Sequence, residues 1–142
     1  LNPAKKMSKS AENANGSIFL SDDRDTIIRK FKRAVTDSEA CVKYDSENKP
    51  GVSNLLSIYS VFTDKSIAEA EAEFAGKGYG DFKLAVGEAV ADKLAPIQAE
   101  QAKLLADKSY LEGVLKSGAE RAAHTANKTV NKVYKKIGFY QL

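Results

Sequence analysis

The stretch Lys6-Met7-Ser8-Lys9-Ser10 places two ammonium groups three positions apart and two hydroxyls within five residues. Ammonium and hydroxyl groups donate hydrogen bonds to phosphate oxygens, and the ammonium charge also offsets phosphate charge. The stretch is therefore a candidate polyphosphate-binding loop. A basic, solvated N-terminal tail has the same composition, so this alternative stays open on the residues alone.

A second concentration of positive charge lies near the other end of the chain. At about 100° per residue, one face of the last predicted helix carries four cations, and these are Arg121, Lys128, Lys132 and Lys135. Glu120 is the only acidic residue between Leu115 and Leu142. Such a one-signed face is a candidate nucleic-acid-binding surface. The alternative is a solvated face whose lysines complement the carboxyl end of the helix.

The elements that must position these groups are predicted to be helices. We expect a mainly α fold, a helical bundle of about five helices that follows the candidate phosphate-binding loop. Residues 17–20 are expected to form either one short strand or an extended segment before the first helix. Periodicity, caps and glycine stops predict helices at about 22–35, from 50 or 52 onward, 66–76, 79–106 and 109–137. The apolar stripes of these helices are expected to be buried, and they include Val35, Ile97, Leu104 and, in the last helix, Leu115, Val130, Val133 and Ile137.

Composition narrows the possible functions. The 142 residues are 43% hydrophobic and 29% charged with a net charge of +3, which is typical of a globular domain. Cys41 is the only cysteine, so an internal disulfide and a cysteine metal cluster are excluded, and a reducing, cytoplasmic compartment is expected. No apolar run approaches the length of a membrane span, so we expect no membrane partner.

The residues do not predict a self-contained active site. His124 stands alone, and no nucleophile is paired with a base. Asp22, Asp23 and Asp25 suit helix capping better than Mg²⁺ binding, and the glycines at 76–80 lack the Lys-Ser/Thr that a Walker loop requires, so no metal site is predicted.

Several stretches together resemble one enzyme family. Lys6-Met7-Ser8-Lys9-Ser10 is letter for letter the signature segment of class I aminoacyl-tRNA synthetases. In the same order and spacing, later stretches resemble the C-terminal part of bacterial tryptophanyl-tRNA synthetases, and these are Thr36-Asp37-Ser38-Glu39, Tyr44-Asp45, Lys49-Pro50-Gly51-Val52-Ser53-Asn54-Leu55-Leu56, Gly76-Lys77-Gly78-Tyr79-Gly80 and Leu94-Ala95-Pro96-Ile97-Gln98. Ala11, directly after the signature segment, departs from the acidic or polar residue of many relatives.

The resemblance implies ATP-dependent activation of tryptophan, with ATP as its Mg²⁺ complex, and transfer to tRNA(Trp) by a homodimer that binds neither DNA nor membrane. It implies that Lys6 and Lys9 are catalytic, that Lys6, Met7, Ser8, Lys9 and Ser10 together bind ATP, and that Met7 anchors the segment by packing. Residues 1–21 would be the signature loop and connecting segment of a nucleotide-binding domain, and 22–142 a helical anticodon-binding domain.

The same resemblance places the nucleotide-binding fold and the tryptophan pocket before Leu1. We therefore expect a C-terminal fragment that binds no metal tightly and is inactive alone. The alternative is a stand-alone helical module that binds RNA or another protein.

Overall fold

The computed structural model describes residues 2–3, 6–8 and 13–139. Regular structure in these ranges is helical, with a 3-10 turn at Ala14–Gly16 and five α-helices, α1 (Arg24–Lys32), α2 (Pro50–Thr63), α3 (Ile67–Glu73), α4 (Tyr79–Ala106) and α5 (Lys108–Ile137). No strand occurs in the described ranges; Ser17 has an extended backbone, and Leu20 and Ser21 lie in a turn closed by the hydrogen bond from the backbone N of Asp22 to the carbonyl oxygen of Phe19 at 3.0 Å. The mainly α prediction is confirmed.

Local chemistry explains where the helices begin and end. Asp23 precedes α1 and accepts a hydrogen bond from the backbone N of Thr26 at 2.7 Å. Ser66 and Glu69 form the predicted capping box of α3. Gly76, at a φ of +75°, lies in the left-handed region that terminates the turn after α3. Gly76 therefore provides the helix stop that the sequence predicts, and Tyr79 and Gly80 already belong to α4.

The structure consists of two compact units, Leu1–Gln98 and Ala99–Leu142. The core of the first unit centres on three aromatic rings, with 5.3 Å between the centroids of Tyr59 and Phe74 and 5.0 Å between those of Phe74 and Phe82. Such tilted and edge-on contacts add to the energy of burial. Around the rings pack apolar side chains of α1, α2 and α4, among them Ile27, Phe31, Val52, Leu55, Leu56, Val86 and Val90.

Three predicted core positions in the first four helices are wrong. Val35 is 49% exposed because α1 ends at Lys32, before the predicted boundary. In α4 the buried positions end at Leu94, and Ile97 and Leu104 are 54% and 37% exposed. A helical period fixes which residues share a face, but it does not fix how far along that face a neighbour extends.

The second unit has no described residue of α5 that is buried. Most of the predicted apolar stripe of α5 is exposed, including Leu115, Val130, Val133 and Ile137, and Leu111 is half-buried. The expectation that these side chains are buried is therefore wrong for the described part of the chain. Among the described residues, no helix is long and apolar enough to cross a membrane.

Gly51 marks a close approach that positions α2. A Cβ atom at this residue would lie 2.2 Å from the carbonyl oxygen of Val35. Pro50, the first residue of α2, needs no backbone N–H there and has a fixed φ that suits a helix start. The Pro50-Gly51 pair thus starts the helix while its backbone contacts the chain that leaves α1.

We predict that Gly51→Ala destabilises the protein by about 1–3 kcal/mol, because the added methyl group forces the backbone at Val35 to move. Gly80→Ala is the matched control, since Gly80 is also the second residue of its helix and a Cβ there meets no atom within 4 Å. Urea unfolding measures both free energies. Equal stability of the two variants would contradict the steric explanation.

Candidate functional site

The signature segment is exposed where the structure describes it. Lys6, Met7 and Ser8 form neither helix nor strand, and the Met7 side chain is 60% exposed. The described residues of this chain therefore do not supply the packing expected for Met7. Lys9 and Ser10 lie outside the described residues, so their assigned roles stay predictions.

Ser17 connects the signature segment to the helical core. The Ser17 hydroxyl donates a hydrogen bond to the backbone carbonyl of Ser8 at 3.3 Å, and Ser17 itself is buried. Between these two residues, the side chain of Asn13 accepts from the backbone N of Asn15 at 3.0 Å and caps the 3-10 turn. The described residues of the signature segment are thus attached to a buried residue nine positions later.

Lys30 is a buried cation that the sequence reasoning placed among the basic residues at the end of α1. Its Nζ atom lies 2.6 Å from Oδ2 of Asp22, 2.9 Å from the carbonyl oxygen of Ser17 and 4.7 Å from the centroid of the Phe19 ring. A signal was present in the sequence, because Lys30 is spaced three residues after Ile27 and one before Phe31, on the apolar face of α1.

The acidic cluster serves helix formation and ion pairing. The backbone N–H of Thr26 holds the pKa of Asp23 below its ordinary value, as expected for a helix-capping carboxylate. Asp22 is paired with Lys30. Within the described residues no group of three or more His, Cys, Asp or Glu side chains could hold a metal ion.

Three of the stretches that carry the resemblance meet in a cluster that the sequence reasoning missed. This Lys49 cluster consists of Asp37, Glu39, Lys49 and Tyr79. The Lys49 ammonium lies 2.5 Å from Oε2 of Glu39 and 3.3 Å from Oδ1 of Asp37, and the Tyr79 hydroxyl donates to Asp37 Oδ1 at 2.6 Å. The cluster therefore joins the long connection after α1 to Lys49, directly before α2, and to Tyr79, the first residue of α4.

The electrostatics of the Lys49 cluster favour its charged forms. The hydrogen bond from Tyr79 is the main reason that the pKa of Asp37 lies below its ordinary value. The contact with Glu39 is the largest cause of the raised pKa of Lys49, and desolvation is the largest cause of the raised pKa of Tyr79. These groups hold the 36–50 connection in place, which gives the cluster a structural role.

The four cations predicted for nucleic-acid binding are all exposed along α5, and they are Arg121, Lys128, Lys132 and Lys135. They belong to the second unit, whereas Lys6, Met7 and Ser8 belong to the first. The helix is capped at its start by Asp107, which accepts from the backbone N of Tyr110 at 2.9 Å, and it ends at Gly138. The four positions thus share one continuous helix, as their spacing requires.

A match to a known family covers residues 1–95, and the family is described as "tRNA synthetases class I (W and Y)". The chain belongs to this family, in agreement with its signature segment.

Within this family, the chain is similar to tryptophan-specific enzymes. The tryptophan–tRNA ligase of Clostridium tetani is 50% identical over 137 residues, which are 96% of this chain and 40% of that protein. The tryptophan–tRNA ligase of Oceanobacillus iheyensis is 51% identical over 136 residues, with 96% and 41% covered. The crystal structure of tryptophanyl-tRNA synthetase from Mycoplasma pneumoniae superimposes with a TM-score of 0.69 at 31% identity, over 98% of this chain and 42% of that one. The chain spans about two fifths of the length of these proteins.

We predict that the Lys49 cluster makes stability depend on pH in the acid range. Because the folded state holds the pKa of Asp37 below its ordinary value of 3.8, its contribution is present above that pH and is lost as the pH falls through the lower, folded value. Asp37→Asn should therefore lower the free energy of unfolding at about pH 7, and the difference from the parent should shrink near pH 3.

Urea unfolding at the two pH values measures this difference. Asp25→Asn is the control, since it makes the same chemical change at an exposed aspartate outside the cluster. A difference between parent and Asp37→Asn that is the same at both pH values would contradict the prediction.

Proposed function

We propose that this chain is part of a tryptophan–tRNA ligase, which activates tryptophan with ATP and transfers it to tRNA(Trp). One observation carries the proposal. The five-residue class I signature occurs intact in a chain that is 50% identical to a tryptophan–tRNA ligase over 96% of its length. Because the chain spans 40% of that relative, we propose that it supplies the phosphate-contacting segment and a helical tRNA-binding region and is inactive alone.

The chemistry explains why the signature segment needs two lysines. Attack of the tryptophan carboxylate on the α-phosphate of the ATP–Mg²⁺ substrate forms tryptophanyl adenylate and releases pyrophosphate. Negative charge grows on the departing pyrophosphate, so ammonium groups beside it stabilise the transition state more than the ground state. We assign this role to Lys6 and Lys9, with Ser8 and Ser10 as hydrogen-bond donors to phosphate oxygens.

We predict that Lys9→Ala slows tryptophan-dependent ATP–pyrophosphate exchange by roughly 10²–10³-fold with little change in thermal stability, because the lost charge acts mainly in the transition state. The assay uses full-length protein, for example this chain joined to the N-terminal part of the Clostridium tetani relative. Lys5→Ala is the control, since it removes the same charge one residue before the signature segment. A rate for Lys9→Ala close to that of Lys5→Ala would refute the assigned role.

We propose that the basic face of α5 contacts tRNA phosphates. Its four cations are exposed on one helix, and Glu120 is the only acidic residue in the sequence from 116 to 142. Charge of one sign on a helix attracts the phosphate backbone without reading bases, so this face would position the RNA, and base contacts would come from other residues. Homodimer formation, the division of roles between residues 1–21 and 22–142, and a cytoplasmic location follow from the same proposal.

We predict that the double variant Lys128→Ala/Lys132→Ala weakens tRNA binding and makes the affinity less dependent on salt. Each lost phosphate contact should reduce the slope of log K against log salt by about 1. The matched control is Lys108→Ala/Lys116→Ala, because these lysines lie on α5 but away from the basic face. Filter binding at several salt concentrations measures the slopes. Identical slopes for the two double variants would favour the solvated-face alternative.

A further inference from the structure

Side-chain contacts hold the described part of the connection between the signature segment and α1. We name residues 13–22 the strap. Its 3-10 turn is capped by Asn13, and the backbone N of Phe19 donates to Oδ2 of Asp22 at 2.8 Å. From α4, the Gln98 amide donates to the carbonyl oxygens of Leu20 and Asp22, both at 2.8 Å. The strap is therefore an ordered segment, although it contains no long helix or strand.

One buried ammonium group joins the strap to α1. The side chain of Lys30 is only 5% exposed, and its close partners among the described residues belong to the strap, namely the Asp22 carboxylate, the Ser17 carbonyl and the Phe19 ring. A buried charge without partners is strongly unfavourable, so the Lys30 side chain and the strap hold each other in one arrangement. Asp22 strengthens the arrangement because the same oxygen, Oδ2, accepts from both Lys30 and the backbone of Phe19.

The strap transmits this arrangement to the signature segment through Ser17. The carbonyl of Ser17 accepts from Lys30, while its hydroxyl donates to the carbonyl of Ser8 in the middle of the signature segment. Two contacts of one buried residue thus separate the Lys30 ammonium from the residues assigned to phosphate binding. A shift of Lys30 or of its partners would displace Ser8 directly.

We propose that Lys30 is a positioning residue for the signature segment, holding Ser8 and its neighbouring lysines in register with the helical core through Ser17. This inference rests on the proposed function, because it gives the position of Lys6 and Lys9 a catalytic value. Electrostatic stabilisation of a departing pyrophosphate depends on distance, and displacement of a catalytic group by about 1 Å can cost up to roughly a hundredfold in rate. Lys30 itself touches no substrate in this role.

The test compares Lys30→Met, Lys30→Arg and Ser17→Ala in full-length protein. Lys30→Met removes the charge and keeps a long unbranched side chain, Lys30→Arg keeps the charge, and Ser17→Ala removes only the hydroxyl that contacts Ser8. The control is Lys65→Met, because Lys65 also pairs with a carboxylate, Glu73 at 2.7 Å, and also lies over an aromatic ring, 5.8 Å from the centroid of Tyr59. Lys65 does not contact the strap in the described structure.

The first readout is tryptophan-dependent ATP–pyrophosphate exchange. We expect Lys30→Met to lower kcat roughly tenfold or more with an unchanged KM for tryptophan, Ser17→Ala to lower kcat by a smaller factor, and Lys30→Arg to restore most of the loss. Lys65→Met should keep the parental kcat even if its melting temperature falls. If Lys30→Met does not fold, Ser17→Ala and Lys30→Arg decide the question, and parental kcat in folded Ser17→Ala would then overturn the proposal.

The second readout is amide hydrogen exchange, which follows the strap without reference to activity. The amides of Gly16, Phe19 and Asp22 are hydrogen-bonded within the strap. They should exchange faster in Lys30→Met and remain at the parental rate in Lys65→Met. Parental exchange together with parental kcat in folded Lys30→Met would overturn the proposal. A parent protein with no tryptophan-dependent exchange of pyrophosphate would instead overturn the proposed function, and the amide rates would still decide whether Lys30 holds the strap.

Discussion

The burial of two ammonium groups is the constraint on which the irregular part of the first unit depends. Lys30 and Lys49 are only 7% and 9% exposed. Removing a charge from water costs several kcal/mol unless partners replace the lost hydration, so each lysine requires a fixed set of acceptors. Lys30 takes its acceptors from the segment before α1, and Lys49 takes its acceptors from the segment after α1. Each of the two connections that flank α1 therefore supplies acceptors to one buried lysine.

This constraint explains which parts of the structure the sequence could predict. Helix boundaries depend on neighbouring residues, so the Ser66-Glu69 capping box, the cap at Asp23 and the left-handed Gly76 could be read directly. The contacts around Lys30 and Lys49 join residues that lie 8 to 42 positions apart in the sequence. Because the partners are distant, the residues next to each lysine do not distinguish a buried lysine from a solvated one. From the sequence alone, the one sign that Lys30 is buried is its position on the apolar face of α1.

The exposed apolar side chains of α5 show a second limit of sequence reasoning. Val130, Val133 and Ile137 recur at helical spacing, which correctly predicts a helix and the residues that share its face. The pattern does not show which surface, if any, covers these side chains. No described residue of α5 is buried. Pattern and burial agree at Phe82, Val86 and Val90, which all belong to the buried core of the first unit.

The helices are predicted from periodicity and caps, whereas the candidate site is predicted from a short motif. No group of described residues could hold a metal ion, and the residue types alone indicate a phosphate-binding loop and a basic helix rather than a particular reaction. The five-residue signature adds the class of chemistry through its resemblance to class I synthetases, and the role proposed for its lysines beside a polyphosphate depends on where those lysines are held. The hydrogen bond from Ser17 to the carbonyl of Ser8 connects this exposed segment to the strap, so the position of Lys6–Ser8 depends in part on residues outside the signature.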